Sequence, residues 1–180
     1  IKELEMELIV TDHHLPTDTL PQAVAVVDPH RADCNLDFKD YAGVGVAYKL
    51  VCALEGEENG VTDSYTDLVT IGTVADVMPL IKENREIVRR GVPMIADSDR
   101  AGIQALVEVA GLADRKISSG SVAFGICPRI NAAGRMGSAE RAIRLLLSED
   151  YDEALVIAQE INDENIQRQQ TEQDILKQAQ

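Results

Sequence analysis

The chain of 180 residues is long enough for one domain with a substantial core, or for one domain and part of a second. Its 31 acidic residues outnumber 17 lysines and arginines, and the formal net charge of −14 excludes a protein that coats nucleic acid by bulk attraction. Three cysteines without a Cys-x-x-Cys spacing exclude a disulfide framework and a zinc knuckle. No apolar run approaches the roughly 20 residues of a membrane span, so we expect a cytoplasmic protein without a membrane partner.

The two ends of the sequence predict that further residues belong to the same protein. Residues 1–10, IKELEMELIV, have the pattern of a helix end that runs into a strand, which is a poor place for a domain to begin. Residues 149–180 are rich in Gln and Glu, and a helix that is polar on most faces is typical of a solvent-crossing connection between two bodies. We therefore expect a fragment that ends in the start of a long linker helix.

The elements between these ends alternate in type as they do in α/β proteins. Residues 7–11 and 23–28 are short apolar runs that end in Asp, His or Pro, as buried parallel strands do at the active edge of a sheet. Helical spacing then predicts helices at residues 43–57, 64–80, 84–95, 100–111, 120–127 and 139–147. The predicted class is α/β, with a small parallel sheet and a mainly helical second half that ends in a long connecting helix.

The glycines of AGVGVAYKL, Gly43 and Gly45, have the spacing that starts a dinucleotide-binding fingerprint. That fingerprint needs a third glycine, where this sequence has Tyr48, and a strand immediately before it. Neither requirement is met. The pattern therefore favours close helix packing or a turn over a nucleotide site.

Two of the three histidines, His13 and His14, follow Asp12 directly after the first predicted strand, in LIVTDHHLP. A surface turn is one interpretation of such a pair. However, side chains at the carboxyl end of a strand project into the crevice where open α/β folds bind ligands. Neutral imidazole binds Mn²⁺, Zn²⁺ or Fe²⁺, and a neighbouring carboxylate can ligate the metal or fix the imidazole tautomer. A hydrolytic metal site is therefore the second interpretation.

Asp76 is a second acid of interest, in IGTVADVMPL. Its neighbours Ala75, Val77, Met78 and Leu80 are apolar, and an ionised carboxylate in such surroundings is costly unless it is paired or bound to metal. The alternative is an ordinary aspartate at a helix end before Pro79. Periodicity alone leaves both interpretations open.

Residues 129–144 reverse the charge of the chain locally. Four arginines (Arg129, Arg135, Arg141 and Arg144) against Glu140 leave +3 in an otherwise acidic sequence. Arg129 and Arg135 flank Asn131 in a stretch that we predict to be compact and loop-like, able to present guanidinium groups and backbone N–H groups to phosphate. In the alternative, the arginines pair with acids of the next helix.

Several motifs, taken in order along nearly the whole chain, resemble those of one family. They are VTDHHLP, AVVDPHR, AGVGVAYKL, GTVADVMPL, ENR and PRINAAGRMGSAERAIRLLL. Together they resemble the RecJ branch of the DHH phosphoesterase superfamily. The resemblance implies that Asp12, His13 and His14 form the DHH motif and that Asp76 is the aspartate of the fourth motif. It further implies that His13 and Asp76 ligate one of two Mn²⁺ or Mg²⁺ ions, that Asp12 supports the site, and that His14 faces the scissile phosphate.

The resemblance also implies an activity. RecJ enzymes hydrolyse single-stranded DNA from 5′ to 3′ and release 5′-mononucleotides, in DNA repair and recombination. Arg129, Asn131 and Arg135 then become the candidate DNA-binding residues. A single-strand-binding protein and a helicase become candidate partners through domains outside this sequence. Residues 1–148 would be the C-terminal part of the DHH catalytic domain, and residues 149–180 the start of the interdomain linker helix.

The family pattern is incomplete in this sequence. The Asp-x-Asp of the first motif and the aspartate of the second precede DHH in the family, and no residue here supplies them. We therefore expect the isolated chain to be inactive. Two alternatives stay open: another DHH phosphoesterase, acting on pyrophosphate, a cyclic dinucleotide or a short oligonucleotide, and a DHH scaffold that has lost catalysis. The stretch PRINAAGRMG argues against the first alternative, and the retained Asp12, His13, His14 and Asp76 argue against the second.

Overall fold

The structure, a computed structural model, describes residues 6–56, 61–136 and 139–179. The chain divides into two compact units, Ile1–Arg90 and Gly91–Gln180. The division falls within a helix, α3 (Lys82–Ala96), so each unit contains one end of it.

The first unit contains a two-stranded parallel sheet of β1 (Ile9–Thr11) and β2 (Ala25–Val27). One further backbone bond extends the pairing at each end: the Val24 N–H donates to the Leu8 carbonyl at 2.8 Å, and the Asp12 N–H donates to the Val27 carbonyl at 3.0 Å. Asp12, the first residue of the DHH motif, therefore makes the last backbone hydrogen bond between the two strands. Both strands are parallel, as predicted, and shorter than predicted.

The prediction that these strands are buried is wrong. Ile9, Thr11, Ala25 and Val27 are exposed, and Val10 and Val26 are half-buried. Within the described residues the sheet has only two strands. So narrow a sheet leaves part of its apolar surface in contact with solvent, whereas the predicted pattern is that of a sheet covered on both faces.

Helices complete the first unit. α1 (Gly43–Glu55) and α2 (Thr66–Ala75) pack closely, and a 3₁₀ helix (Val61–Tyr65) lies between them in the sequence. Gly72 of α2 permits this approach, since a Cβ there would lie 2.5 Å from Cγ1 of Val44. A core cluster of Phe38, Tyr41 and Val46 lies around the start of α1.

The second unit is entirely helical in its described part. α4 (Ala101–Val109) is followed by a short α5 (Ser119–Ser121), a π-helical segment (Val122–Ile126), α6 (Cys127–Met136), α7 (Ala139–Leu147) and α8 (Tyr151–Ala179). Its core includes Ile103, Leu106, Val122, Ile126, Leu145 and Ile161. α4 and α7 touch backbone to backbone, because a Cβ on Gly102 would lie only 2.0 Å from the Leu145 carbonyl oxygen.

The stretch predicted to be loop-like is instead the helix α6. Pro128 lies directly after the π-helical turn, inside a helical segment that runs without a break from Ser119 to Met136, and a Cβ on Gly134 would meet nothing within 4 Å. Proline and glycine inside a helix usually destabilise it. The buried Ala132 and Ala133 hold the helix against the rest of the unit and outweigh the low helix propensity of glycine.

α8 has two different halves. Ala154, Ile157, Ala158, Ile161 and Asn165 are buried in the second unit, whereas every residue from Gln169 to Gln178 is exposed. The predicted α/β class, with its small parallel sheet, helical second half and long final helix, is confirmed. The domain boundary predicted between residues 148 and 149 stays a prediction. No helix in the described ranges is long and apolar enough to cross a membrane.

Candidate functional site

Asp12 organises the turn that follows β1. Its Oδ1 accepts hydrogen bonds from the backbone N–H of His13 at 2.7 Å and of His14 at 3.1 Å, and it lies 2.8 Å from Nδ1 of the His14 ring. The side-chain bond from His14, followed by the two backbone bonds, lowers the pKa of Asp12 to about 2. Asp12 is therefore ionised at neutral pH, and one of its oxygens is committed to shaping the turn.

His13 packs against the first residue of α1. A Cβ on Gly43 would lie 3.3 Å from Cδ2 of the His13 ring, closer than ordinary carbon–carbon contact. The His13 and His14 rings also contact one another, with centroids 4.2 Å apart and planes inclined by 44°. The absence of a side chain at Gly43 thus defines where the His13 ring can lie.

Asp76 lies at the C-terminal cap of α2, in a Schellman motif. The Met78 N–H donates to the Thr73 carbonyl and the Val77 N–H donates to the Val74 carbonyl, which is the paired pattern of that motif. Glycine usually occupies the left-handed position, but here it is Val77, with φ of 56°. The strained residue directly follows the candidate ligand, and such strain is concentrated at functional sites.

The surroundings of Asp76 differ from those expected. Its side chain is 44% exposed and Val77 is almost fully exposed, so burial among apolar neighbours does not act on this carboxylate. The reason is the helix end, because the chain turns away there and leaves its side chains in solvent. Asp76 is both the helix-end aspartate of one interpretation and a neighbour of the DHH turn.

His13 and Asp76 meet in the folded chain. Nδ1 of His13 lies 3.5 Å from Oδ2 of Asp76. An imidazole nitrogen and a carboxylate oxygen are ligands that Mn²⁺ accepts, so this pair fits one edge of a metal site. Among the described residues, no group of three or more His, Cys, Asp or Glu side chains could hold a metal ion. Within the described residues, His13 and Asp76 are thus a pair of candidate ligands and not a complete metal site.

His14 is the most exposed member of the DHH motif. Its Nδ1 is engaged with Asp12, which leaves Nε2 as the ring nitrogen directed at other partners. The interaction with Asp12 fixes the orientation of the ring. An exposed imidazole whose orientation is held beside the candidate pair of His13 and Asp76 is suited to contact a phosphate oxygen.

The guanidinium group of Arg129 is directed inward. Its Nη1 donates to the Gly125 carbonyl at 2.5 Å, its Nη2 to the Val109 carbonyl at 3.2 Å, and its Nε to Oδ1 of Asn162 at 2.9 Å. Burial lowers the pKa of the group. Val109 is the last residue of α4, so the positive charge also lies at the negative end of that helix. Arg129 thereby ties α4, the π-helical segment and α8 together.

The other candidate residues of this stretch have different surroundings. Asn131 is exposed on α6. The backbone of Arg135 lies in the same helix, and its side chain is outside the described part. Arg141 pairs with Glu164 and Arg144 pairs with Glu153 at 3.2 Å, both acids being on α8. For Arg141 and Arg144 the structure therefore matches the alternative of pairing with the next helix.

Two features of these sites escaped sequence reasoning. The left-handed residue at the end of α2 carries none of the usual Gly or Asn signal, because the residue is Val77. The π-helical segment before α6 also has no sequence signature. The contact of His13 with Gly43 could have been anticipated, since a glycine at the start of a helix often permits close approach by another group.

Comparison with known proteins identifies the class. Residues 1–73 match the family described as "DHH family, N-terminal domain". This match contains the turn built by Asp12, His13 and His14, with His13 resting on Gly43. The chain is therefore a member of the DHH family.

Within that family the chain resembles the single-stranded-DNA-specific exonuclease RecJ. It is 42% identical to RecJ of Bacillus subtilis over 168 residues and 41% identical to RecJ of Escherichia coli over 185 residues. These alignments cover 93% and 96% of the chain but only 21% and 32% of the relatives. The chain thus spans about a fifth to a third of the length of these relatives.

Solved structures lead to the same family. RecJ of Thermus thermophilus in complex with Mn²⁺ matches 98% of the chain at 40% identity, with a TM-score of 0.86, and the match covers 26% of that chain. An exonuclease RecJ bound to manganese matches 98% of the chain with a TM-score of 0.87, over 45% of its own length. The Thermus protein has also been solved with Mg²⁺, and that structure matches with a TM-score of 0.76.

Proposed function

We propose that the chain is part of the catalytic domain of a RecJ-like exonuclease that hydrolyses single-stranded DNA from 5′ to 3′ and releases 5′-mononucleotides. The observation that carries the proposal is the approach of His13 Nδ1 to Asp76 Oδ2, 3.5 Å apart. These are the two metal ligands that the family resemblance assigns to this sequence. The similarity to RecJ proteins over nearly the whole chain supports it.

His13 and Asp76 would hold one of two Mn²⁺ or Mg²⁺ ions. Bound ions would neutralise the phosphate oxygens, lower the pKa of a bridging water and stabilise the leaving oxygen. The related structures solved with Mn²⁺ and with Mg²⁺ support this choice of metal. His13 fits the role because contact with Gly43 restricts its ring, and a ligand held in place loses little entropy on binding.

Asp12 and His14 act beside the ligands. Asp12 holds the backbone of the turn through the N–H groups of both histidines, so it fixes the backbone from which both rings project. His14 offers Nε2 to a phosphate oxygen, as a hydrogen-bond donor or as the source of the proton that the leaving oxygen receives. Its Nδ1 bond with Asp12 favours the ring orientation that either role needs.

Asn131 and Arg135 of α6 are the proposed DNA contacts in the second unit. Asn131 is exposed, and Arg135 follows it by about one helical turn. Arg129 belongs to the same sequence motif, but its three donors are engaged with protein acceptors. We therefore assign Arg129 the task of holding α6 in place, and Asn131 and Arg135 the task of contacting the strand.

The wider role follows from the same family. A RecJ-like exonuclease would act in DNA repair and recombination, in the cytoplasm, beside a single-strand-binding protein and a helicase. The isolated 180-residue chain would be nearly inactive as a nuclease, because His13 and Asp76 supply part of a two-metal centre and catalysis needs both ions.

The test compares the full-length protein with the 180-residue chain. Each is incubated with Mn²⁺ and 5′-labelled single-stranded or duplex DNA, and the products are separated by size. We expect the full-length protein to release labelled mononucleotide first from the single strand and to spare the duplex, and we expect the short chain to release almost none. Faster turnover of pyrophosphate or a cyclic dinucleotide would instead assign the protein to another DHH phosphoesterase.

A further inference from the structure

Phe124 is the most exposed aromatic residue of the chain. All six aromatic residues lie in the described ranges; Phe124 is 86% exposed, Tyr65 follows at 38%, and the other four are buried or half-buried. The sequence contains no tryptophan. Phe124 is therefore the aromatic side chain of this chain best placed to stack on a planar ligand such as a nucleic-acid base.

The backbone on both sides of Phe124 is anchored. Val122 and Ile126 are fully buried, and the Cys127 N–H donates to the Val122 carbonyl, which closes a π-helical turn around Phe124. Gly125 lies so close to the core that a Cβ there would be 3.0 Å from Cδ1 of Leu112. π-Helical turns are rare and are frequently found at functional sites. The exposed ring is therefore presented from a fixed position.

Phe124 and Asn131 lie on the exposed side of one continuous helical segment. From Val122 to Ala133 they are the two exposed residues, and Pro128 between them is half-buried. Two helical turns, about 10 Å, separate Phe124 from Asn131. The opposite face carries the buried Ala132 and Ala133.

We propose that this face of the helical segment, formed by Phe124, Pro128 and Asn131, is a contact surface for single-stranded DNA. The Phe124 ring stacks on one base, and the amide of Asn131 bonds to a neighbouring nucleotide. This inference rests on the proposed function, from which the single strand comes as substrate.

The charge of the chain favours contact with bases at this face. A net charge of −14 repels a phosphate backbone, whereas stacking on an aromatic ring depends little on charge and tolerates any sequence. A phenylalanine and an asparagine bind through a π-face and an amide, the groups that contact splayed bases in single strands. An apolar partner protein would not need the amide.

The experiment measures binding of the full-length protein to a fluorescent oligothymidylate at several salt concentrations, with a chelator present to prevent cleavage. Phe124→Ala should weaken affinity about tenfold, the order of one lost base stack, and should leave the salt slope unchanged because no phosphate contact is lost. Phe124→Trp should bind as well as wild type, and Phe124→Leu should bind as poorly as Phe124→Ala. Leu147→Ala, which truncates another exposed apolar residue of the second unit, 75% exposed, should have no effect.

The outcomes separate the inference from the proposed function. If wild type binds single-stranded DNA but Phe124→Ala binds equally well, the stacking surface is wrong and the exonuclease proposal stands. If Phe124→Leu binds like wild type, Phe124 acts as an apolar group and the stacking is again wrong. If wild type binds no single-stranded DNA, the proposed function itself fails. Melting temperatures of all variants should stay within a few degrees of wild type, and a large drop for Phe124→Ala would mark a structural role and overturn the inference.

Discussion

Nδ1 of His13 lies 3.5 Å from Oδ2 of Asp76, although one residue follows the first strand and the other ends the second long helix. A different local backbone structure positions each of these two residues. The Asp12 turn directs His13, and the Schellman motif directs Asp76. The pair therefore depends on two backbone structures that can be altered independently.

His13→Ala and Asp76→Asn in the full-length protein should each reduce turnover on single-stranded DNA at least about a hundredfold, since each removes a proposed metal ligand. Binding of the strand should change little, because neither variant removes a strand contact. Turnover and affinity are measured on one oligonucleotide, and Mn²⁺ affinity by electron paramagnetic resonance. Asp18→Ala, which removes an exposed carboxylate of the same unit, is the control. Turnover within about tenfold of wild type would show that the ligand assignment is wrong.

Gly43→Ala should weaken Mn²⁺ binding by about tenfold without destabilising the protein. The new methyl group would lie 3.3 Å from Cδ2 of His13, so the ring must shift by a few tenths of an ångström. Alanine raises helix propensity by up to about 1 kcal/mol, which should keep the melting temperature at or above that of wild type. Gly120→Ala is the control, since its nearest neighbour is at an ordinary 3.6 Å. Unchanged metal affinity in Gly43→Ala would show that the contact does not hold the His13 ring.

Val77→Gly should stabilise the chain by about 1 kcal/mol. A β-branched residue in the left-handed region costs roughly 1–2 kcal/mol, and glycine removes that cost while adding back part of it as unfolded-state entropy. The exposed valine side chain makes little packing to lose. Denaturant unfolding measures the change. Gly111, with φ of 67° and nothing within 4 Å of its Cβ position, gives the converse test: Gly111→Ala should destabilise by about 1 kcal/mol.

Arg129→Ala and Arg135→Ala should differ in which quantity they change. Arg129→Ala removes three hydrogen bonds to protein acceptors and should lower stability by about 2 kcal/mol or more, with an unaltered salt slope of binding. Arg135→Ala should leave the melting temperature in place and reduce the slope by about 0.7, as one phosphate contact is lost. Arg129→Lys keeps the charge but loses the fork, so it should recover only part of the stability. A reduced salt slope of DNA binding in Arg129→Ala would show that Arg129 does contact the DNA.

Gly102→Ala should prevent the second unit from folding normally. Its Cβ would lie 2.0 Å from the Leu145 carbonyl oxygen, and a backbone atom cannot move aside as a flexible side chain can. We expect a loss of about 3 kcal/mol or more, measured by thermal unfolding. Gly134→Ala, with open space around its Cβ position, should instead stabilise α6 by about 0.5–1 kcal/mol. Similar stability for both variants would mean that α4 and α7 lie further apart than described.

The meeting of His13 and Asp76 was within reach of sequence reasoning because each carried a positional signal. His13 follows a parallel strand, Asp76 follows an apolar helix, and a family motif joined them. The geometry that holds them was out of reach. A glycine at the left-handed position usually reveals a Schellman motif in the sequence. Here that position is Val77, so only the backbone angles show the motif and its strain.

α6 was missed for a related reason. Pro128 and Gly134 interrupt helices in most contexts, and local sequence gives no way to weigh them against tertiary packing. The packing depends on the burial of Ala132 and Ala133, on the contact of α6 with α8, and on the inward bonds of Arg129, which join residues far apart in the sequence. The same long-range bonds connect Arg129 to α4, the π-helical segment and α8, while its predicted contact with DNA stays a prediction.

The two halves of α8 differ in how strongly tertiary packing stabilises their helical conformation. The first half is held by the buried Ala158 and Ile161, whereas every residue from Gln169 to Gln178 is exposed. A lone helix of about a dozen residues lies near its helix–coil midpoint in water. Amide hydrogens should therefore exchange with deuterium slowly up to about Asn165 and within seconds beyond it, along one unbroken helix. The first half of α8 is therefore rigid in the isolated chain, whereas the second half becomes rigid only when a partner binds it.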